Sequence, residues 1–102
     1  MFGSTADINE KAREAQGNPS ITLIDVRSPD EYAEGHIPVA VNVPILSIGD
    51  IERVVPDRDA LIYVSCQSGK RSERAIKAMR DLGYTNLENV GGIASWNGPV
   101  ER

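Results

Sequence analysis

Leu61-Ile62-Tyr63-Val64-Ser65-Cys66-Gln67-Ser68-Gly69-Lys70-Arg71-Ser72 runs from an apolar stretch through a polar, glycine-containing loop into a helical repeat. Leu61 to Ser65 reads as a buried strand, because its apolar residues are nearly continuous. Beyond the loop, Ala75, Ile76, Met79 and Leu82 recur at helical spacing. Arg74, Lys77, Arg80 and Asp81 fall on the outward face, and Gly83 stands where the helix ends.

Working outward, strand-like runs alternate with short helical patterns over the rest of the chain, which predicts an α/β fold with a mostly parallel sheet. A first helix is expected from Ala6 to Gln16, with Ser4 or Thr5 as its cap, Asp7 in its first turn and Gly17 just past its end. Ile21 to Val26 reads as a strand. Ser28-Pro29-Asp30-Glu31 combines an N-cap serine, a proline at the first helical position and a glutamate three residues after the cap, so a short helix through Ala33 follows, ended by Gly35. Val39 to Val43 reads as a second strand closed by Pro44. Ser47 to Val54 reads as another helix, Pro56 to Asp59 as a surface turn, and Leu87 to Val90 as the last strand, with Gly91-Gly92 leading to a turn that carries Trp96.

At 102 residues and 11.1 kDa the chain is sized for a single domain, residues 1–102, with one core. A formal net charge of −4 disfavours nucleic-acid binding, which needs a basic face. No run approaches membrane-spanning length, and Met1 to Thr5 shows neither a basic region nor an apolar stretch, so a cytoplasmic location and no membrane contact are expected. A monomer is the default expectation.

One cysteine excludes an internal disulfide, a cysteine-rich metal site and an internal resolving thiol. Cys66 stands where a loop and a helix N-terminus direct backbone N–H groups and the helix dipole at one spot. Lowering a thiol pKa by one to two units takes about 1.4–2.7 kcal/mol. A helix terminus supplies roughly 0.3–2 kcal/mol and a charge-assisted amide bond roughly 1.5–3 kcal/mol, so backbone groups suffice to hold a thiolate. Exposed Lys70 and Arg71 would add only about 0–1 kcal/mol each; their expected role is to attract and orient an anionic substrate. A buried, inert thiol is the bland alternative.

Three ordered motifs carry a family resemblance over nearly the whole chain. Asp25-Val26-Arg27 with Glu31-Tyr32, then Gly35-His36-Ile37-Pro38 and Ala40-Val41-Asn42-Val43-Pro44, resembles the upstream signature of rhodanese-like domains. Cys66 to Ser72 resembles their active-site loop, and Gly91-Gly92 with Trp96 their closing motif. The resemblance implies a three-layer α/β fold, a small sheet of four to five strands with helices on both faces. It also implies a sulfurtransferase without a cofactor, moving sulfane sulfur from thiosulfate or a persulfide to cyanide or a thiol acceptor. Carried over, Cys66 is the nucleophile and persulfide carrier, the amides of Gln67, Ser68, Gly69, Lys70 and Arg71 cradle the outer sulfur, and Arg71 orients the anionic donor. An open, shallow cradle would also let a partner protein exchange sulfur in a relay.

Four residues, Gln67 to Lys70, separate Cys66 from Arg71. The related dual-specificity phosphatases are understood to place five there and a histidine where Ser65 stands, so the tighter ring favours a sulfur atom over a phosphoryl group. A noncatalytic interaction module that kept the fold is the alternative from another class. Val39 occupies a position commonly glycine in the family.

Other residues are adequately explained by structure. Asp25 and Arg27 finish a strand as an ion pair; Glu31 caps a helix and is expected to reach Arg27. Ser68 and Ser72 are read either as hydrogen-bond donors to a bound anion or only as helix caps, and capping alone accounts for Ser72. His36, the only histidine, has no companion at metal-ligand spacing, which argues for a hydrogen-bonded structural role and no metal site. Trp96 is expected in core or rim packing.

Overall fold

The computed structural model describes residues 7–102. Helix α1 spans Ile8–Gly17, strand β1 Thr22–Asp25, α2 Pro29–Glu34 and β2 Val41–Asn42. A 3-10 segment over Ile45–Asp50 leads into α3, Ile51–Val54; β3 is Ile62–Cys66, α4 Lys70–Asp81 and β4 Leu87–Gly92.

The four strands form one all-parallel sheet in the order β2-β1-β3-β4. Parallel strands need crossovers that cover both faces, and the side-chain alternation along β3 divides accordingly. Ile62, Val64 and Cys66 join the cluster that contains Ala75, Ile76 and Met79 of α4 and Ile51 of α3. Tyr63 points the other way, into a cluster with Ile8, Ala12 and Ala15 of α1. The result is the expected three-layer arrangement. The register places Asp25 beside Asn42 and Ser65, and Cys66 beside Gly92, so the carboxyl ends of the central strands meet on one edge, where ligands bind in open α/β sheets.

Local chemistry explains α2. Ser28 accepts from the Glu31 amide at 3.3 Å and Glu31 from the Ser28 amide at 3.0 Å, the reciprocal capping box read in the sequence, and Pro29 opens the helix. Elsewhere the structure shifts several boundaries. Asp7, expected inside the first turn, is instead the cap of α1, accepting from the Asn9 amide at 2.9 Å; Ser4 and Thr5 lie outside the described residues. The strand expected over Val39 to Val43 contracts to Val41–Asn42, because Ile37-Pro38-Val39-Ala40 closes a β-turn, with the Ala40 amide 3.0 Å from the Ile37 carbonyl. Val39 adopts φ 74° there, the conformation of the third residue of a type II turn, which favours glycine. The helix expected over Ser47 to Val54 is a 3-10 segment kinked at Ser47 and then α3. Gly91 and Gly92, expected beyond the last strand, belong to it: the register slips between Val64 and Ser65, and Gly91 takes φ 94°.

His36 is structural, as expected. Its ring stacks on Tyr32 with centroids 3.7 Å apart, its Nδ1 lies 2.9 Å from the Tyr32 carbonyl, and its backbone pairs with Glu101. Trp96 is half-buried against the α1-side cluster, under Arg13, and its indole N–H donates to the Pro99 carbonyl at 2.9 Å.

Candidate active site

Cys66 is the last residue of β3 and the loop proper is Gln67 to Gly69, because α4 starts at Lys70. Lys70 and Arg71 therefore belong to the first helical turn and not to the loop, which brings the free amides of that turn toward the sulfur. Gly69 makes this sharp entry possible at φ 101°. Its amide donates to Cys66 Sγ at 2.9 Å.

Burial pushes the thiol pKa up and is the largest single influence on it. The Ser72 hydroxyl and the amides of Ser72, Gly69 and Ser68 together outweigh it, and the net pKa is lowered. Ser72 Oγ is buried and has no partner with good hydrogen-bond geometry, so the sulfur is the group its dipole serves. Ser72 is thus no cap: the N-cap is Gly69, three residues earlier. Lys70 is exposed. The gain is local and comes from peptide and hydroxyl dipoles.

Two residues beyond the loop hold its shape. Asn89, on β4, donates to the Gly69 carbonyl at 2.9 Å and accepts from the Gly91 amide at 3.0 Å, pinning the peptide that precedes the helix. Sequence reasoning missed it; its only signal was a lone amide before the paired glycines. Gly92 packs directly under the loop, where a Cβ would overlap the backbone of Gln67 and Ser68. The Gln67 carbonyl accepts from the Ala94 amide at 3.1 Å, so it faces away from the sulfur.

Arg71 does not stand free. Its guanidinium makes a bidentate pair with Glu31, at 2.7 and 3.0 Å. Glu31 was expected to reach Arg27, but Arg27 is buried against Asp25, donating at 2.8 Å to its carboxylate and at 2.8 Å to the Gly35 carbonyl. The Asp25–Arg27 pair thus secures the ends of α2, and α2 presents Glu31 to α4. Hydrogen bonding from Arg71, then from the Ser28 amide, holds the Glu31 carboxyl down at about 2. Ser65 is also buried, its hydroxyl donating to the Ile24 carbonyl at 3.0 Å.

The cradle is neither open nor shallow. Cys66 is only 1% exposed, since its side chain closes the core cluster that includes Val26, Val43 and Ala75. A groove of about 420 Å³ flanks the loop on the Arg71 side and a hollow at Ser68, Gly91 and Gly92 flanks it on the other. Neither is lined by Cys66.

A four-stranded parallel sheet whose strand β3 ends at a cysteine, with the amides of the following helix N-terminus directed at its sulfur, defines an α/β protein with a cysteine loop at the carboxyl edge of its sheet. Within that class the chain belongs to the rhodanese-like domain family, whose model matches residues 9–99. It is 37% identical over 71 residues to the thiosulfate sulfurtransferase PspE of Escherichia coli, covering 69% of this chain and 68% of that protein. It is 35% identical over 100 residues to the putative sulfurtransferase YtwF of Bacillus subtilis, covering 96% and 91%. A solved structure described as a rhodanese with anions from E. coli superposes with a TM-score of 0.74 at 32% identity, covering 80% of this chain and 98% of that one. In longer curated relatives the chain spans 48% or 21% of the length. No helix among the described residues is long and apolar enough to cross a membrane.

Proposed function

We propose that the chain is a sulfurtransferase, working as a single domain, in which Cys66 takes a sulfane sulfur from thiosulfate or a persulfide, holds it as a persulfide and passes it to cyanide or a thiol. The observation that carries this reading is the Gly69 amide 2.9 Å from Cys66 Sγ, in a loop whose other dipoles also favour the thiolate. In the first half-reaction Sγ attacks the outer sulfur of thiosulfate; the new S–S bond forms as the old one breaks, and its electron pair leaves on sulfite. In the second, cyanide or a thiolate attacks the outer sulfur of the persulfide and Sγ departs as thiolate. Donors placed for the thiolate serve each time negative charge returns to sulfur.

The roles divide by atom. Cys66 is the nucleophile; Ser68, Gly69 and Ser72 supply dipoles; Asp25 and Arg27 act at a distance by fixing α2. Arg71 orients an anionic donor only as half of its pair with Glu31. With no second cysteine in the chain, the acceptor comes from another molecule, a small thiol or a partner protein in a relay.

The deep burial of Cys66 favours a second reading, a binding module that kept the fold without the chemistry. Incubation with thiosulfate and cyanide separates the two. Thiocyanate is expected from the wild type and none from Cys66→Ser; equal, background-level thiocyanate from both would support the module.

A further inference from the structure

Four basic side chains stand apart from the rest. Outside α4, Lys11, Arg27, Arg53 and Arg58 are in ion pairs, Arg13 lies over the Trp96 ring and donates to Asn97, and Arg102 donates to the Glu34 carbonyl. On α4 Arg71 is paired with Glu31. Lys70, Arg74, Lys77 and Arg80 are exposed and have no such partner among the described residues, although Glu73 is one turn from Lys77. Lys70, Arg74 and Lys77 follow i, i+4, i+7 spacing and share one face of the helix.

Charge is divided across the chain in the same way. Helix α4 holds five of the eleven basic residues and two of the fifteen acidic ones, a net +3, against −7 for the remainder. Glu88, on the adjacent β4, does not offset it, because its carboxylate pairs with Lys11 of α1 on the other face of the sheet. Between α4 and the edge strand β4 lies a hollow of about 390 Å³, lined by Ile76 and Leu87 with Glu73, Lys77, Arg80 and Asn89 around them. Asn89 is the residue that holds the Gly69 carbonyl, so this surface adjoins the cysteine loop.

An acidic protein patch with an apolar side chain among its carboxylates complements such a surface. A nucleic acid does so poorly, since its phosphates would run past α4 over the acidic remainder of the chain. Resting on the sulfurtransferase reading above, we infer that the exposed face of α4 and the hollow beside β4 dock an acidic protein that accepts the sulfur from Cys66. Its carboxylates lie on Lys70, Arg74, Lys77 and Arg80, and an apolar side chain enters the hollow against Ile76 and Leu87. The helix begins four residues after Cys66 and is about 18 Å long, so a partner seated along it has its thiol within reach of the loop. The transfer balances. The partner's thiolate attacks the outer sulfur of the Cys66 persulfide, the new S–S bond forms, the bond from that sulfur to Sγ breaks, and the electron pair stays on Sγ. The proton on the moving sulfur travels with it, one negative charge stands on each side, and no oxidant or reductant is consumed.

The test loads the full chain from thiosulfate or a persulfide, removes the excess, and offers short synthetic peptides with one terminal cysteine and two leucines, the other positions being glutamate, glutamine or lysine. Loss of about 32 Da from the chain gives the transfer rate. Each rate is divided by that of the same peptide with a small alkyl persulfide in solution, which removes differences in thiol reactivity. At low salt the glutamate peptide should exceed the glutamine peptide about tenfold or more, with the lysine peptide slowest. That advantage should vanish at high salt and fall several-fold in the double variant Arg74→Glu, Lys77→Glu, whose transfer to 2-mercaptoethanol should stay within about twofold of wild type. Serine in place of the leucines should slow the glutamate peptide several-fold, and a rate unmoved by serine would overturn the part given to the hollow. Equal corrected rates for the three peptides, or an advantage that survives the double variant, would overturn the docking surface while leaving sulfur transfer standing. So would a single-stranded RNA that competes as well as a cysteine-free glutamate peptide of equal charge. A chain that gains no mass from either donor would overturn the sulfurtransferase reading and this inference with it.

Discussion

At Cys66 two consequences of burial oppose each other. Removing the thiolate from water disfavours it, while the same enclosure lets a hydroxyl and three amides act on it without competition from solvent. Ser72 is the sharpest probe of that balance. Ser72→Ala removes the hydroxyl and leaves the helix start intact, so the thiol pKa should rise by about one unit, the value of one hydrogen bond to a charged group. The thiolate is the deprotonated form; raising its pKa therefore moves the acidic, ascending limb of the rate profile to higher pH and lowers activity by up to about tenfold at pH values below the midpoint. Thiolate absorbance followed against pH reads the midpoint directly, and an unmoved midpoint would show that the amides alone suffice.

Among the elements, the turn before β2 carries a visible cost. Val39 holds φ 74° on a β-branched residue that is 55% exposed, so its side chain gives little packing in return. Val39→Gly relieves about 1–2 kcal/mol of left-handed strain and gives back roughly 0.5–1 kcal/mol in chain entropy. A net stabilisation of about 0.5–1 kcal/mol should appear as a higher urea midpoint; a lower midpoint would mean the valine contributes packing that outweighs the strain.

Elements whose signals are local were legible in the chain. The capping box of α2, the buried run into Cys66 and the apolar stripe of α4 all lie within a few residues of the structure they specify. The misreadings share a different cause. Ile45, Leu46, Ile48 and Ile51 do not distinguish a kinked 3-10 segment from an α-helix, because the kink at Ser47 depends on what the segment packs against. Ser72 looked like a cap because nothing in the sequence shows Gly69 entering the helix from the left-handed region. The partner of Glu31 was undecidable between Arg27 and Arg71: the choice was made by Asp25, which occupies Arg27, and by a contact across 40 positions. Burial of Cys66 likewise depends on Val43 and Val26, which the chain order does not place above it.

On the scale of the whole molecule, the Glu31–Arg71 pair ties the first half of the fold to the second and should be visible in its acid stability. Glu31 titrates at about 2 in the fold against 4.5 for an ordinary glutamate, so it binds its proton less readily folded than unfolded. That contribution is complete above pH 4.5 and is lost as pH falls toward 2. Both side chains are about a third exposed, 34% and 29%, which holds the effect to about 1–2 kcal/mol after screening. Glu31→Gln should lower stability by that amount at pH 6, and the gap to wild type should close between pH 4.5 and 2. A gap that is constant with pH would assign the loss to packing instead.

The same scale sets the question of access, since Cys66 lies within the core and can carry out the proposed chemistry only if one sulfur atom reaches it. Intact-mass spectrometry after brief exposure to a sulfane donor and removal of excess reagent addresses this in one step. The wild-type chain should gain about 32 Da, release it on addition of cyanide, and show no gain when Cys66 is replaced by serine. A wild-type mass that never changes with thiosulfate, a thiosulfonate or a persulfide would contradict sulfur transfer through Cys66.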